Sequence, residues 1–145
     1  MLADLRKAGL VEVVGLGERG ELLFEQLVAG AASETLDDGE AATIAYAAET
    51  SLGIVMDDSK ARRICRERFS GIPMRSSVEI LQHASLHQAL GEVRMVTAVV
   101  NALQIGRMRV FPEHLAWVLK LIGDEKASAC CSLPRRSRLA HSPRI

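Results

Sequence analysis

The stretch Leu36-Asp37-Asp38-Gly39-Glu40-Ala41-Ala42-Thr43-Ile44-Ala45-Tyr46-Ala47, followed by Gly53-Ile54-Val55-Met56-Asp57-Asp58-Ser59-Lys60-Ala61-Arg62-Arg63, decides the fold. It reads as an acid cluster, a helix, a short apolar strand, a second acid cluster and a second helix. Ala41, Ile44, Ala45 and Ala48 recur at the spacing of a buried helical stripe, and their small side chains suit close packing on a sheet. Residues 53–56 form a short apolar run between turn and acid residues, the signature of a buried parallel strand. In an open α/β sheet, ligands bind beyond the carboxyl ends of the strands, where the next helices begin. Asp57 and Asp58 fall at such a place.

Working outward, the chain continues this alternation. Residues 10–14, Leu-Val-Glu-Val-Val, are β-branched and predict a strand. Gly15, Gly17 and Gly20 break the chain but lack the spacing of a dinucleotide fingerprint. A helix is predicted over 21–31, with Leu22, Leu23, Leu27 and Val28 on one side, and a small polar loop over 30–35. After the second acid cluster a helix spans about 59–69, with Ile64, Cys65 and Arg68 inward and Arg62, Arg63 and Arg66 outward. Residues 71–74 read as a second strand, placed at an edge or strand start by Pro73.

Ser76 or Ser77 caps a predicted helix to about Ala89, and Gly91 breaks it. Val93, Val96, Val99, Val100 and Leu103 mark a helix ending near Gly106. Pro112 opens the last one, which carries Leu115, Val118, Leu119 and Ile122 and ends at Gly123. The strand–helix alternation predicts an α/β domain with a small parallel sheet. The boundaries expected are a domain over 1–127 and a basic, disordered tail over 128–145, where helical and strand periods cease.

The chain has 145 residues and a formal net charge of zero, but the charge is segregated. Residues 1–58 hold 12 acids and 3 bases, and residues 59–145 hold 6 acids and 15 bases. Such asymmetry suits acids at a metal site and bases along a phosphate backbone, and equally suits two solvated faces. No apolar run approaches a membrane span, and the first ten residues lack a signal-peptide layout, so a cytoplasmic protein is expected. Three cysteines, Cys65, Cys130 and Cys131, make no disulfide framework and no zinc spacing.

The acids admit two readings. Asp37-x-x-Glu40 has capping-box spacing with Asp in place of Ser or Thr, and Asp57 could cap the following helix. Alternatively, a few carboxylates at one sheet end suffice for Mg²⁺, which keeps several waters. Lys60, Arg62, Arg63 and Arg66 could then hold substrate phosphates. His83 and His87 are four apart, but no third ligand accompanies them, and a surface pair is expected.

The block Leu36-Asp37-x-Gly39-Glu40-Ala41 followed by Asp57-Asp58-x-x-Ala61-Arg62 resembles the PIN-like nucleases, VapC-type toxins and their uncharacterised predicted nucleic-acid-binding relatives. Arg109-Val110-Phe111-Pro112-Glu113-His114-Leu115 resembles their C-terminal end, and the resemblance covers roughly residues 5 to 123. It implies a three-layer α/β/α fold and cleavage of single-stranded RNA with Mg²⁺ or Mn²⁺. By position, Glu40 and Asp58 match catalytic, metal-binding acids, with Asp57 as the alternate ligand. The resemblance further implies RNA as substrate, a small antitoxin protein as inhibitor, and a homodimer. One departure stands out: the family opens with a strand ending in Asp and a further Glu, and this chain shows neither. The expectation is an N-terminally truncated or degenerate domain, either an active metal-dependent endoribonuclease or an inactive module that binds nucleic acid or a partner protein.

Overall fold

The computed structural model describes residues 2–134. In chain order the elements are α1 (Leu2–Lys7), α2 (Glu18–Val28), α3 (Asp38–Thr50), β1 (Ile54–Val55), α4 (Ser59–Arg68), β2 (Met74–Arg75), α5 (Ser77–Leu81), α6 (Ala84–Gln104) and α7 (Pro112–Ser128). The fold is α/β, with many helices and one small parallel sheet in the order β1-β2. Ile54 N–H donates to Pro73 O and Met56 N–H to Arg75 O, both at 2.9 Å. The chain divides into two compact units, residues 2–54 with 63–73, and residues 55–62 with 74–134.

The first unit is built on α2 and α3. Leu27, Leu36, Ala41, Ile44, Ala45 and Ala47 are buried there, close to the stripe expected from spacing. The glycines before and within α2 have a specific task. The Glu49 carboxylate, near the end of α3, accepts from Gly17 N–H at 2.9 Å and Gly20 N–H at 3.3 Å. A Cβ on either glycine would stand 2.6–2.7 Å from a Glu49 oxygen, so a side chain there would displace the carboxylate from its present position. Glu49 thus supplies from a distance the acceptor that α2 lacks at its own N-cap, Gly17.

The second unit has its own core: Val78, Met95, Val99, Leu103, Met108, Val118, Ile122, Ala127, Cys130 and Leu133. Ser76 caps α5 with a complete capping box. Its Oγ accepts from Glu79 N–H at 3.2 Å, and its own N–H donates to Glu79 Oε2 at 2.6 Å. Gly91, at φ 71°, turns the chain inside α6, where an L side chain would be strained. Pro112 stands in the first turn of α7. Beyond α7, Ser132 Oγ donates to Leu103 O at 2.8 Å, so residues 129–134 pack against α6. The remainder of the expected tail, residues 135–145, lies outside the described residues.

Several local expectations are corrected. Residues 10–14 form no strand: they are exposed and have no strand beside them. A β-branched run becomes a strand only when an adjacent edge completes its hydrogen bonds. The helix from Ser76 ends at Leu81, and a new one starts at Ala84 with His83 as N-cap. His83 and His87 are both exposed, as expected of a surface pair, but His83 precedes the helix as its N-cap, with Nδ1 2.7 Å from Ser85 Oγ. Asp37 stands at the N-cap of α3 without a side-chain cap bond, so the capping box expected at Asp37 and Glu40 is absent. Arg62 faces inward and Arg68 outward, the reverse of the expectation.

Candidate metal and nucleic-acid site

The second unit carries the turn that joins β1 to α4. Met56 is fixed at both ends of its peptide: its N–H donates to Arg75 O, and its carbonyl accepts from Arg62 Nη1 at 2.9 Å. Asp57 and Asp58 follow immediately and are half-buried. Asp57 Oδ1 accepts from Ser77 N–H at 2.8 Å, tying the turn to the start of α5. Asp58 Oδ1 accepts from Lys60 N–H at 2.7 Å and Ala61 N–H at 2.9 Å. Asp58, not Asp57, is therefore the acceptor at the start of α4, where the helix dipole also favours its charge.

The other Asp58 oxygen, Oδ2, lies 3.9 Å from Arg109 Nη1. That distance and the exposure of both side chains, 54% for Arg109 and 40% for Asp58, make it a loose, solvent-screened pair. The Phe111 ring links two guanidiniums, with Arg62 Cζ 4.8 Å and Arg109 Cζ 5.9 Å from its centroid. Close by in the chain, Glu79 is held below the ordinary carboxylate range, chiefly because its carboxylate accepts the Ser76 backbone N–H.

A groove of about 470 Å³ opens beside Asp57 and Ser77, lined by the apolar side chains of Val55, Ile80, Leu81 and Met108.

Of the residues singled out by sequence, Asp57, Asp58, Lys60 and Arg62 lie together in this unit. Glu40 lies in the other unit, half-buried in the first turn of α3. Arg63 and Arg66 are exposed residues of that unit, and Arg63 bonds Glu67 Oε2 at 2.8 Å and Ser33 O at 3.0 Å. Arg62 is 9% exposed and donates inward. Sequence reading missed the site roles of Ser77, Arg109 and Phe111. The one signal for the last two was their place in the Arg109–Leu115 block, where Phe111 follows Arg109 by two residues in a chain with only three Phe.

Among the described residues, no three His, Cys, Asp or Glu side chains form a group that could hold a metal ion. Also among them, no helix is long and apolar enough to cross a membrane. The donors present at the turn are nevertheless of the right kind. Asp57 and Asp58 offer hard carboxylate oxygens on a braced backbone, and Mg²⁺ is commonly held by one or two carboxylates plus water and substrate phosphates.

A family model described as "PIN domain" (DUF3368) matches residues 6–124. The chain belongs to the PIN-domain family. No curated protein and no solved structure matches it. PIN domains in general have a nuclease-type fold, depend on divalent metal and bind nucleic acid, and the β1–α4 turn with its two aspartates lies within the matched residues.

Proposed function

We propose that this PIN domain is a metal-dependent endoribonuclease acting on single-stranded RNA, and that it is the toxin of a toxin–antitoxin pair. The observation that carries the reading is the Asp57–Asp58 pair at the carboxyl end of β1, inside the residues that the family model matches. On this reading Asp57 and Asp58 hold Mg²⁺ or Mn²⁺. Glu40 is retained as a catalytic, metal-binding acid on the family pattern alone. When bound, the metal supplies a nucleophilic hydroxide at neutral pH and charge to stabilise the leaving oxygen.

The chain's own residues orient the reaction. The two N–H bonds to Asp58 Oδ1 fix that carboxylate's plane and leave Oδ2 directed toward Arg109. Arg109, loosely held and exposed, is a cation that would contact a substrate phosphate were Asp58 to hold a metal. Lys60 supplies a further phosphate contact at this turn, and Arg63 and Arg66 are retained as RNA-binding residues on the sequence expectation alone. Arg62, bonded to Met56 O, serves the turn instead. The partners on this reading are RNA and a small antitoxin protein; the protein is a cytoplasmic homodimer.

The test is cleavage of a labelled single-stranded RNA with Mg²⁺ or Mn²⁺, with chelator, and by Glu40→Gln. Cleavage that requires metal and is lost in the variant is the expected result. Cleavage in chelator would overturn the metal requirement, and full activity of Glu40→Gln would remove Glu40 from the chemistry. A second reading, an inactive module that binds RNA or a protein, is favoured by one observation. One oxygen of each aspartate already accepts helix-start N–H groups, and Arg109 faces Asp58. It predicts RNA binding that weakens with salt and no cleavage by a folded sample.

A further inference from the structure

Arg62 is out of place by the pattern of its own helix. It stands beside the exposed Arg63, yet it is the one buried residue with a formal charge among those described. Burying a guanidinium is costly unless its N–H groups are bonded and its charge is compensated. Two contacts answer that cost. Nη1 donates to Met56 O at 2.9 Å, and Cζ lies 4.8 Å from the centroid of the Phe111 ring. The first contact anchors the β1–α4 turn, and the second ties the guanidinium to the N-cap of α7. Met56 is the residue before Asp57, its own N–H is held by Arg75 O, and the turn beyond it is closed by the Asp58 bonds to Lys60 and Ala61.

We propose that Arg62 is a positioning residue for the Asp57–Asp58 pair. It fixes the carbonyl that immediately precedes the two carboxylates, and Phe111, at the entrance to α7, holds the guanidinium in place. Only arginine performs both tasks together, because its planar fork donates at the edge while its face lies against a ring. A lysine ammonium can reach a carbonyl but presents no plane to stack. The same ring lies 5.9 Å from Arg109, the residue that faces Asp58 Oδ2, so its position also bears on the group opposite the carboxylate. The consequence for metal binding rests on the reading of Asp57 and Asp58 as ligands. The claim about the turn does not.

The experiment uses the full ¹⁵N-labelled chain, as wild type, Arg62→Lys and Phe111→Leu. Amide exchange is followed residue by residue, Mn²⁺ binding by paramagnetic broadening, and global stability by urea unfolding. In both variants exchange at Lys60 and Ala61 should quicken by about tenfold, the fold-change equivalent to losing a largely desolvated cation–π contact. Amides of Val99 and Leu103 should follow only the global stability, and half-maximal broadening should require a higher Mn²⁺ concentration. Uniform acceleration at all amides would overturn the proposal, because Arg62 would then merely stabilise the fold. Unchanged exchange at Lys60 and Ala61 would overturn it equally. The expected exchange pattern in the variants, together with no Mn²⁺ broadening in wild type, would refute the metal reading and leave the positioning role standing. Mn²⁺ binding without the exchange pattern would do the reverse.

Discussion

Asp58 carries two roles that a pair of substitutions separates. Its Oδ1 caps α4 through Lys60 and Ala61 N–H, and its charge is what a metal would bind. Asn keeps a carbonyl oxygen in the Oδ1 position and ranks with Asp as an N-cap, whereas Ala removes the acceptor. Asp58→Ala should therefore cost about 1–2 kcal/mol, the usual cost of a lost cap, because two N–H groups lose their acceptor. At this chain length that is a fall in Tm of about 3–8 °C. Asp58→Asn gives up only the charge and the exposed Arg109 pair at 3.9 Å, together within about 1 kcal/mol. Urea unfolding and metal-dependent RNA cleavage are measured on both variants. Stability should order as wild type, Asn, then Ala, while cleavage should be lost equally in Asn and Ala. An Asn variant as unstable as the Ala variant would refute the capping geometry. An Asn variant that cleaves like wild type would remove Asp58 from the metal site, whatever its stability.

Glu79 makes the stability pH-dependent in one direction. Its folded pKa lies below the ordinary 4.5 because it accepts the Ser76 N–H, so its charged form stabilises the fold above that value. The contribution disappears as pH falls through the folded value. Glu79→Gln keeps an N3 acceptor for the capping box but cannot ionise. The urea midpoints of wild type and variant should differ near neutrality and converge as pH falls below the ordinary value of 4.5; a gap that widens on acidification would contradict the assignment. The cysteines should divide sharply in a thiol-labelling time course with mass mapping. Cys131 is exposed, whereas Cys65 and Cys130 are buried and burial pushes the Cys130 thiol up. Cys131 should label first in the folded protein, and early modification of Cys130 would refute its burial.

Local chemistry made part of this fold legible. The run at residues 53–56 became β1, the stripe from Ala41 became the buried face of α3, and Gly91, Pro112 and Gly123 fell where the helices turn or start. Each of these signals acts over a turn or two of chain. What was not legible depends on partners far away in sequence. The run at residues 10–14 has the residues of a strand but no edge to pair with. The Gly17 and Gly20 amides await the Glu49 carboxylate, and nothing near them in sequence announces it. Arg62 looked exposed because its neighbours on α4 are basic, whereas its inward course is set by Met56 O and the distant Phe111. At the site, the difference between Asp57 and Asp58 as cap came down to one residue, which is finer than periodicity resolves.

Capping and metal binding are not exclusive roles for these aspartates. An ionised carboxylate has two oxygens and about four lone-pair sites, and a cap occupies one oxygen. The backbone bonds to Asp57 Oδ1 and Asp58 Oδ1 fix the direction of each second oxygen, so ordering entropy is lost during folding rather than during binding. The cost appears elsewhere. N–H bonds to a carboxylate draw charge from it, and Arg109 at 3.9 Å offers a competing cation. A turn built this way is preorganised but has only part of its carboxylate oxygens left for a ligand, which suits Mg²⁺ held jointly with substrate phosphate better than a metal held tightly by protein alone. RNA and metal should therefore each strengthen the binding of the other, since the phosphate supplies the oxygens that the turn lacks and draws Arg109 away from Asp58.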